Sequence, residues 1–370
     1  MKFLHSAALL RPPSGIVNQM RWESEVADEL GLDWDTKLYC PKGSLKPEEF
    51  IVESSNVNAG KTDSGKPLDW LRFRFGYYNW LMSMKDAYDV LLLRYYVHDP
   101  FQLKFVRQST KPVYFVHHTL EESELRLPGT LTAWFRGSME HYLGPPTLRH
   151  SAGIVGVTQE ILNYEIQRLG SAEKPVFVYP NGINFNEQSV QDKCGDVPEL
   201  LFIASRFAGW HGLDLLLKSV ENSSAVFKLH IVGKVNDYDL GRCKRDSRLL
   251  VHGSLTSEQI RYISESCWCG LSSFGLQRKK MREACTLKVR EYLMMGLPVY
   301  SGHKDSGLPE DFLFYFIGDP CIEKILSYAH EVRNASREQI RSMSFSHISK
   351  KSLLKKLHSD ISSQIFDANR

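Results

Sequence analysis

Short apolar runs alternate with helix-period segments along most of this chain, and each run gives way to a turn of Gly, Pro or polar residues. DVLLLRYY at 89–96, KPVYFV at 111–116, SAGIVGV at 151–157, KPVFVY at 174–179 and ELLFIAS at 199–205 are near-continuous in apolar residues. Runs of that kind suit strands buried on both faces, as in parallel sheets. Helical patterns follow them, at 100–108, at 158–169 behind Thr158 as the cap, and in LDLLLKSV from Leu213. Strand and helix in repeated alternation predict an α/β chain with parallel sheets covered on both faces.

Size and punctuation divide it in two. At 370 residues the chain exceeds what one hydrophobic core organises. The turn Pro180-Asn181-Gly182, followed by a polar stretch at 186–196, marks a boundary. The reading is two doubly wound, Rossmann-like parallel-sheet domains facing a cleft, residues 1–184 and 185–343, with residues 344–370 as a terminal segment carrying a basic amphipathic helix at 344–361. Charge narrows the partners. Forty-six Lys and Arg against 43 Asp and Glu leave +3, which argues against a chain built to neutralise nucleic acid. No apolar run approaches the length of a membrane span. The N-terminal MKFLHSAALLRPPSG lacks a cleavage site and reads as a first strand and turn. The seven scattered cysteines, with Cys267 and Cys269 alternating in a strand, read as reduced thiols of a cytoplasmic protein.

Several local readings place candidate residues. The turn at 11–15 lies at the carboxyl end of the first strand, where open parallel sheets bind ligands, so Gly15 is a candidate for close approach; a glycine serving only the turn is the equal alternative. Residues 41–67 read as an irregular, mobile excursion. Residues 70–84, WLRFRFGYYNWLMSM, read as a core helix with snorkelling arginines, or else as an acceptor- or membrane-contacting one. The strand at 111–116 ends in His117-His118, where the fold puts its ligands.

Residues 283–302, EACTLKVREYLMMGLPVYSG, read as loop, helix, stop and strand. Thr286 is the expected N-cap, and Gly296 before Leu297-Pro298 the stop. The helix start offers unpaired N–H groups and a positive dipole end to an anion, with Lys288 in the first turn. Glu283 and Glu291 flank it. An anion site bracketed by hydroxyl-binding acids suits a sugar nucleotide; the bland alternative is a solvated face with a Glu–Lys–Arg cluster. The loop before it, with Arg278, Lys279, Lys280 and Arg282, either steers an anion or is merely solvated.

This stretch resembles the E-x7-E donor-site motif of retaining glycosyltransferases of the GT-B fold, particularly family 4, and Pro180-Asn181-Gly182-Ile183-Asn184 is similar to the segment that closes their first domain. The resemblance implies transfer of a sugar from a nucleoside diphosphate sugar, bound by the second domain, to a hydroxyl of a glycan or glycolipid acceptor bound by the first. Configuration would be retained, with no metal or other cofactor, and the terminal helix would return to the first domain. Glu283 would hold hydroxyls of the donor sugar and Glu291 the ribose; His118 would approach the transferred sugar; Leu287 and Val289 would flank Lys288 in donor binding. The family places an arginine and, five residues on, a lysine against the pyrophosphate. Arg206 matches, but His211 stands where the lysine would in donor binding, and the phosphate charge falls either to a protonated His211 or to Lys288, which is well placed to take it over. Catalytic roles thus fall to His118, Arg206, Glu283 and Lys288. Two other readings stay open: a catalytically inactive partner or scaffold of this fold, or a sugar-nucleotide epimerase. Localisation is expected to be cytoplasmic, with room for peripheral contact at the inner face of a membrane.

Overall fold

Apolar runs without alternation become central strands, and two all-parallel sheets are built from them. The computed structural model describes residues 1–60, 67–126, 129–170, 173–185 and 190–368. By contacts the chain divides into one unit of Met1–Pro180 with Lys350–Arg370 and another of Asn181–Ser349.

The first unit runs β1 (Phe3–Ala8), α1 (Ser14–Leu30), β2 (Trp34–Lys42), β3 (Ile51–Asn58), α2 (Pro67–Met84), β4 (Val90–Arg94), α3 (Pro100–Gln108), β5 (Val113–His117), α4 (Glu121–Arg126), α5 (Leu131–His150), β6 (Gly153–Gly156), α6 (Gln159–Leu169) and β7 (Val176–Val178). Its seven strands lie in the order β3-β2-β1-β4-β5-β6-β7. The second unit runs β8 (Glu199–Arg206), α7 (Leu213–Glu221), β9 (Lys228–Lys234), α8 (Asp237–Cys243), β10 (Leu249–Gly253), α9 (Ser257–Ser264), β11 (Cys269–Leu271), α10 (Leu287–Met294), β12 (Val299–Ser301), β13 (Tyr315–Ile317), α11 (Ile322–Glu331) and α12 (Arg337–Ile348). Its six strands lie in the order β10-β9-β8-β11-β12-β13. The last helix, α13 (Lys350–Ala368), belongs to the first unit, where Leu354, Leu357 and Ile361 join the core under β1 and β5. Two doubly wound Rossmann-like domains are therefore present, as expected.

Each sheet has a point where strand order reverses, between β1 and β4 in the first and between β8 and β11 in the second. Crevices at the carboxyl ends of the strands flanking such a point are where open α/β sheets bind ligands. Both candidate sites below lie there.

Several expectations need correction. Residues 51–58 of the expected excursion are not irregular but form β3, an edge strand paired in parallel to β2, while residues 61–66 of that stretch and residues 186–189 of the other expected loop lie outside the described residues. Gly15 sits inside the first turn of α1, not in the turn before it. The helix expected over 344–361 is two helices, α12 and α13, with extended backbone at Ser349 between them. On α2, Arg74 does not snorkel. It is buried, donates through Nε to Asp99 at 2.6 Å and through Nη2 to the Tyr78 hydroxyl at 2.8 Å, and lies 3.8 Å from the Tyr96 ring centre. Asp99 also caps α3, accepting from the Phe101 and Gln102 N–H groups, so one carboxylate serves helix start and buried cation together.

Candidate active site

In the second unit the chain leaves β8 at Arg206, makes a short turn of helix at Gly209–His211 and enters α7 through Gly212. Gly212 has φ +71°, and a Cβ there would lie 2.8 Å from the Gly275 nitrogen and from the Phe274 Cβ. Two hydrogen bonds draw these loops together: Phe274 N–H donates to the His211 carbonyl at 2.9 Å, and Gly275 N–H to that of Trp210 at 3.2 Å. Only glycine fits both the left-handed backbone and that approach. Arg278 reinforces the contact, donating to both Asp214 oxygens at 2.9 and 2.8 Å and to the Gly209 carbonyl at 2.6 Å. One cation of the basic loop is thus committed to holding the turn. Arg206 itself is exposed.

The loop before α10 is held as firmly. Residues 282–284 pair with Lys304, whose N–H donates to the Arg282 carbonyl at 3.1 Å while its carbonyl accepts from Ala284 at 3.0 Å. The Ser306 hydroxyl donates to Glu283 Oε2 at 2.5 Å, which fixes that carboxylate. Arg290, fully buried, pairs with Asp305, reaches the Cys285 sulfur and donates through Nε to the Asn181 carbonyl at 2.8 Å. The Asn181 side chain in turn donates to the Cys285 carbonyl at 2.7 Å, tying the Pro-Asn-Gly turn to the entrance of α10. At the other end Gly296, φ +71°, accepts the left-handed conformation that stops the helix, with Leu297 N–H donating to the Tyr292 carbonyl at 2.9 Å.

The start of α10 departs from expectation at its cap. Thr286 has the extended cap conformation, but its hydroxyl makes no capping bond; Oγ1 is buried and has no partner. The first N–H groups of a helix have no acceptor within it. Lys288 Nζ is likewise buried without a hydrogen-bond partner, 5.8 Å from the Phe202 ring centre and 5.6 Å from that of Trp210. Burial pushes its ammonium down to about 7, although Glu291 favours the charge. Burial raises Glu291, against the opposite pull of Lys288. The Val289 side chain is fully buried in the core, and its N–H donates to the Thr286 carbonyl at 3.2 Å.

His211 is neutral. Its Nδ1 accepts the Ala208 N–H at 2.9 Å, its ring stacks on Trp210 at 3.7 Å, and burial, with the Lys288 cation second, holds it down to about 3. It cannot supply the charge of the lysine it replaces. Sequence reasoning missed two neighbours, Trp210 and His303. His303 is buried at the end of β12, with Nδ1 near the Ser301 hydroxyl and Ser273 carbonyl at 2.9 and 3.0 Å and Nε2 unpartnered. Its place just past a strand end was the available signal.

In the first unit His118 lines a cavity of about 460 Å³ at the carboxyl ends of β4 and β5, together with Arg94, Tyr95, Tyr96, Glu121, Glu124, Arg136 and others. Burial, then the charge of Arg94, holds His118 well below the usual histidine range, so it is a neutral donor and acceptor. His117 points elsewhere. It is buried, stacked on Tyr95 at 4.3 Å, with Nδ1 3.1 Å from Glu121 and 3.5 Å from Glu165. Burial opposes its charge, yet the two carboxylates raise it and make it a cation. Arg168 adds a second cation, bonded to Glu165 and to Glu140. Glu121 thus joins a buried ion network. His117, Glu121 and Glu165 are the group with metal-ligand spacing among the described residues, their ligand atoms within 4.8 Å of one another. The cations already present neutralise those acids.

No family model matches the chain, and no curated protein matches it in sequence. In structure it is similar to the apo form of the lipopolysaccharide outer core galactosyltransferase WaaB, with a TM-score of 0.68 at 12% identity over 98% of this chain and 100% of that one. Sucrose-phosphate synthase from Thermosynechococcus elongatus gives 0.66 at 13% identity over 100% of both chains. HepE from Anabaena in complex with UDP gives 0.64 at 12% identity over 98% of this chain and 100% of that one, and its complex with UDP-glucose gives 0.62 at 13% identity over the same shares. Likeness at such identity shows the fold, which is the GT-B fold of glycosyltransferases. No helix among the described residues is long and apolar enough to cross a membrane.

Proposed function

We propose that the protein is a retaining glycosyltransferase that moves a sugar from a nucleoside diphosphate sugar to an acceptor hydroxyl. The observation that carries this reading is the start of α10, where the Lys288 ammonium and the Thr286 hydroxyl are buried without partners beside the first free N–H groups of the helix. Unsatisfied donors are costly, and a phosphate would satisfy them together. HepE, a protein of the same fold, is seen with UDP and with UDP-glucose. That supports a nucleotide sugar as the donor.

In this reading Lys288, Arg206 and the helix N-terminus stabilise charge developing on the leaving diphosphate, the place a metal would otherwise take. Glu283, oriented by Ser306, holds hydroxyls of the donor sugar, and Glu291 the ribose. His118 offers the transferred sugar a neutral hydrogen bond. The first unit, residues 1–184 in the sequence reading, binds a glycan or glycolipid acceptor, as in polysaccharide biosynthesis, in a cytoplasmic setting with peripheral membrane contact. Residues 185–343 bind the donor.

Thermal stabilisation by UDP, GDP and ADP tests the donor site, and turnover of the matching nucleotide sugars in EDTA, with the product anomer read by NMR, tests the reaction. We expect one nucleoside diphosphate to raise the melting temperature and its α-linked sugar to give an α-linked product in chelator. Inversion of the anomer, or activity lost in EDTA and restored by Mg²⁺ or Mn²⁺, contradicts the corresponding part. The neutral His211 favours a second reading, an inactive binding partner of this fold. A protein that binds the nucleotide and turns over no donor is that partner.

A further inference from the structure

The cavity of the first unit is lined by the guanidinium of Arg94. Arg94 closes β4 half-buried and lines the cavity, and among the described residues its side chain makes no ion pair and no hydrogen bond. Its neighbours in the unit are spent: Arg74 on Asp99, Arg126 on Glu122, Arg168 on Glu140 and Glu165. Burial works against the Arg94 charge, with Tyr96 and Glu121 favouring it from nearby, and a half-buried cation without a direct ion pair is costly to the fold. Sites that break a local rule without compensation are where function is to be sought.

A second cation enters from α5. Arg136 lines the same cavity, and its Nε donates to His98 Nε2 at 2.9 Å, leaving both Nη groups without an acceptor among the described residues. Two acids line the cavity as well. Glu121 is turned to His117 through Oε1, and burial raises its carboxyl, with the nearby Glu165 adding to the rise; Glu124 has interactions of its own. Glu121 forms no ion pair with either arginine among the described residues, although its charge favours that of Arg94. The space between is therefore cationic, with hydroxyl acceptors at one side.

We propose that this cavity takes an acceptor bearing a phosphate, as monoester or diester, with Arg94 as the principal contact to the phosphate oxygens, Arg136 as the second, and the acceptor hydroxyls toward His118 and Glu121. The word acceptor rests on the glycosyltransferase reading; the phosphate site rests on the arginines alone. One guanidinium matches a carboxylate, whereas two lining one cavity suit a tetrahedral oxyanion with more oxygens to satisfy. The phosphate can belong to a soluble polyol or sugar phosphate, or to a lipid headgroup. The first turn of α5, which supplies Thr130, Thr132, Ala133 and Arg136 to the cavity, also carries Leu131, Trp134 and Phe135 at 90%, 62% and 60% exposure. That apolar rim is the reason to include a lipid arm.

Titration calorimetry of the full chain with excess UDP present, so that the Lys288 site is filled, tests the proposal with glycerol phosphate against glycerol. Glycerol phosphate should bind at least about tenfold more tightly, and Arg94→Gln should lose about 10- to 100-fold of that affinity, as removal of charge-assisted hydrogen bonds does. Arg94→Lys should recover part of it, and Arg136→Gln should cost less than Arg94→Gln. Sedimentation with phosphatidylglycerol vesicles against phosphatidylcholine vesicles separates the sources: Arg94-dependent binding to the former assigns the phosphate to a lipid, and its absence beside intact glycerol phosphate binding assigns it to a soluble compound. Equal affinity for glycerol and glycerol phosphate overturns the proposal. So does full affinity in an Arg94→Gln protein that melts like the parent. If UDP fails to bind, the donor reading falls, while the Arg94→Gln comparison still decides the phosphate site.

Discussion

The Lys288 ammonium lies 5.6 Å from the centre of the Trp210 ring and has no hydrogen-bond acceptor. Trp210 belongs to the turn after β8 and Lys288 to the helix after β11, so the contact joins the two segments that flank the switch point of the second sheet. Contact with an aromatic face returns about 0.5–2 kcal/mol to a cation, less than the loss of its hydration costs. The amine accordingly gives up its proton at about 7 rather than in the usual lysine range. A diphosphate in the site would reverse this, because an adjacent anion favours the charged form.

Donor affinity should therefore depend on pH in one direction. Free Lys288 is charged below about 7 and neutral above, whereas the bound phosphate needs the cation, so binding takes up a proton once the pH exceeds about 7. Nucleoside diphosphate affinity should fall by up to about tenfold per pH unit above that point. Calorimetry in buffers of different ionisation enthalpy would detect the proton taken up. A flat profile between neutral and alkaline pH, or one unchanged in Lys288→Arg, removes Lys288 from the phosphate site.

The same cation should be a liability to the empty protein. Lysine titrates near 10.4 when unfolded and at about 7 here, so its charge opposes folding in full below about 7 and ceases to matter above its unfolded value. Lys288→Met should stabilise the ligand-free chain by at least about 1–3 kcal/mol at neutral pH, and the gain should shrink toward alkaline pH. Chemical denaturation at two pH values measures it. A variant less stable than the parent at neutral pH would show that the ammonium is well solvated.

What the sequence disclosed about the fold followed from burial on both faces. DVLLL and VYFVH are central strands and have no polar face to obscure them, and Thr158 caps α6 through a 3.2 Å bond from the Ile161 N–H, as its position suggested. Elements whose identity depends on tertiary contacts stayed hidden. β3 reads ESSN because it is an edge strand with half of its side chains exposed. α5 contains Pro145-Pro146, which local rules take for a stop; burial of Thr147 and Leu148, and the Glu140–Arg168 pair, carry the helix past it. In the candidate site, the spacing of Glu283, Lys288 and Glu291 was visible, but protonation was not. The lowered Lys288 comes from burial, and the neutrality of His211 from burial and the nearby Lys288 charge; neither has a pattern in sequence.

Both acids of the donor site should matter, by different routes. Glu283 is oriented by the 2.5 Å bond from Ser306, while Glu291 faces Lys288 on the helix. Glu283→Ala and Glu291→Ala should each reduce donor kcat/KM by about 10- to 100-fold, the value of charge-assisted hydrogen bonds to sugar hydroxyls. Ser306→Ala should produce a smaller loss of the same kind, because it removes orientation and not the carboxylate. Unaltered donor kinetics in both glutamate variants would sink the assignment, and a Ser306→Ala loss larger than that of Glu283→Ala would mean Ser306 touches the donor itself.

The comparison of Lys288 with His211 decides whether this chain catalyses with an altered phosphate site or has lost the reaction. His211 is held neutral by burial and then by the Lys288 charge, so its contribution to a leaving diphosphate is at most a neutral hydrogen bond. Lys288→Ala should cost on the order of 10²–10³ in kcat, as for other preorganised electrostatic groups, and His211→Ala about tenfold or less. Lys288→Arg should restore only part, since a planar fork does not occupy the place of a compact ammonium between two rings. His211→Lys returns a cation to the family's position and should raise turnover if charge there is limiting. Should His211→Ala prove the worse variant, with activity falling as pH rises through the histidine range, the imidazole carries the charge after all and the neutral geometry at Ala208 does not survive donor binding.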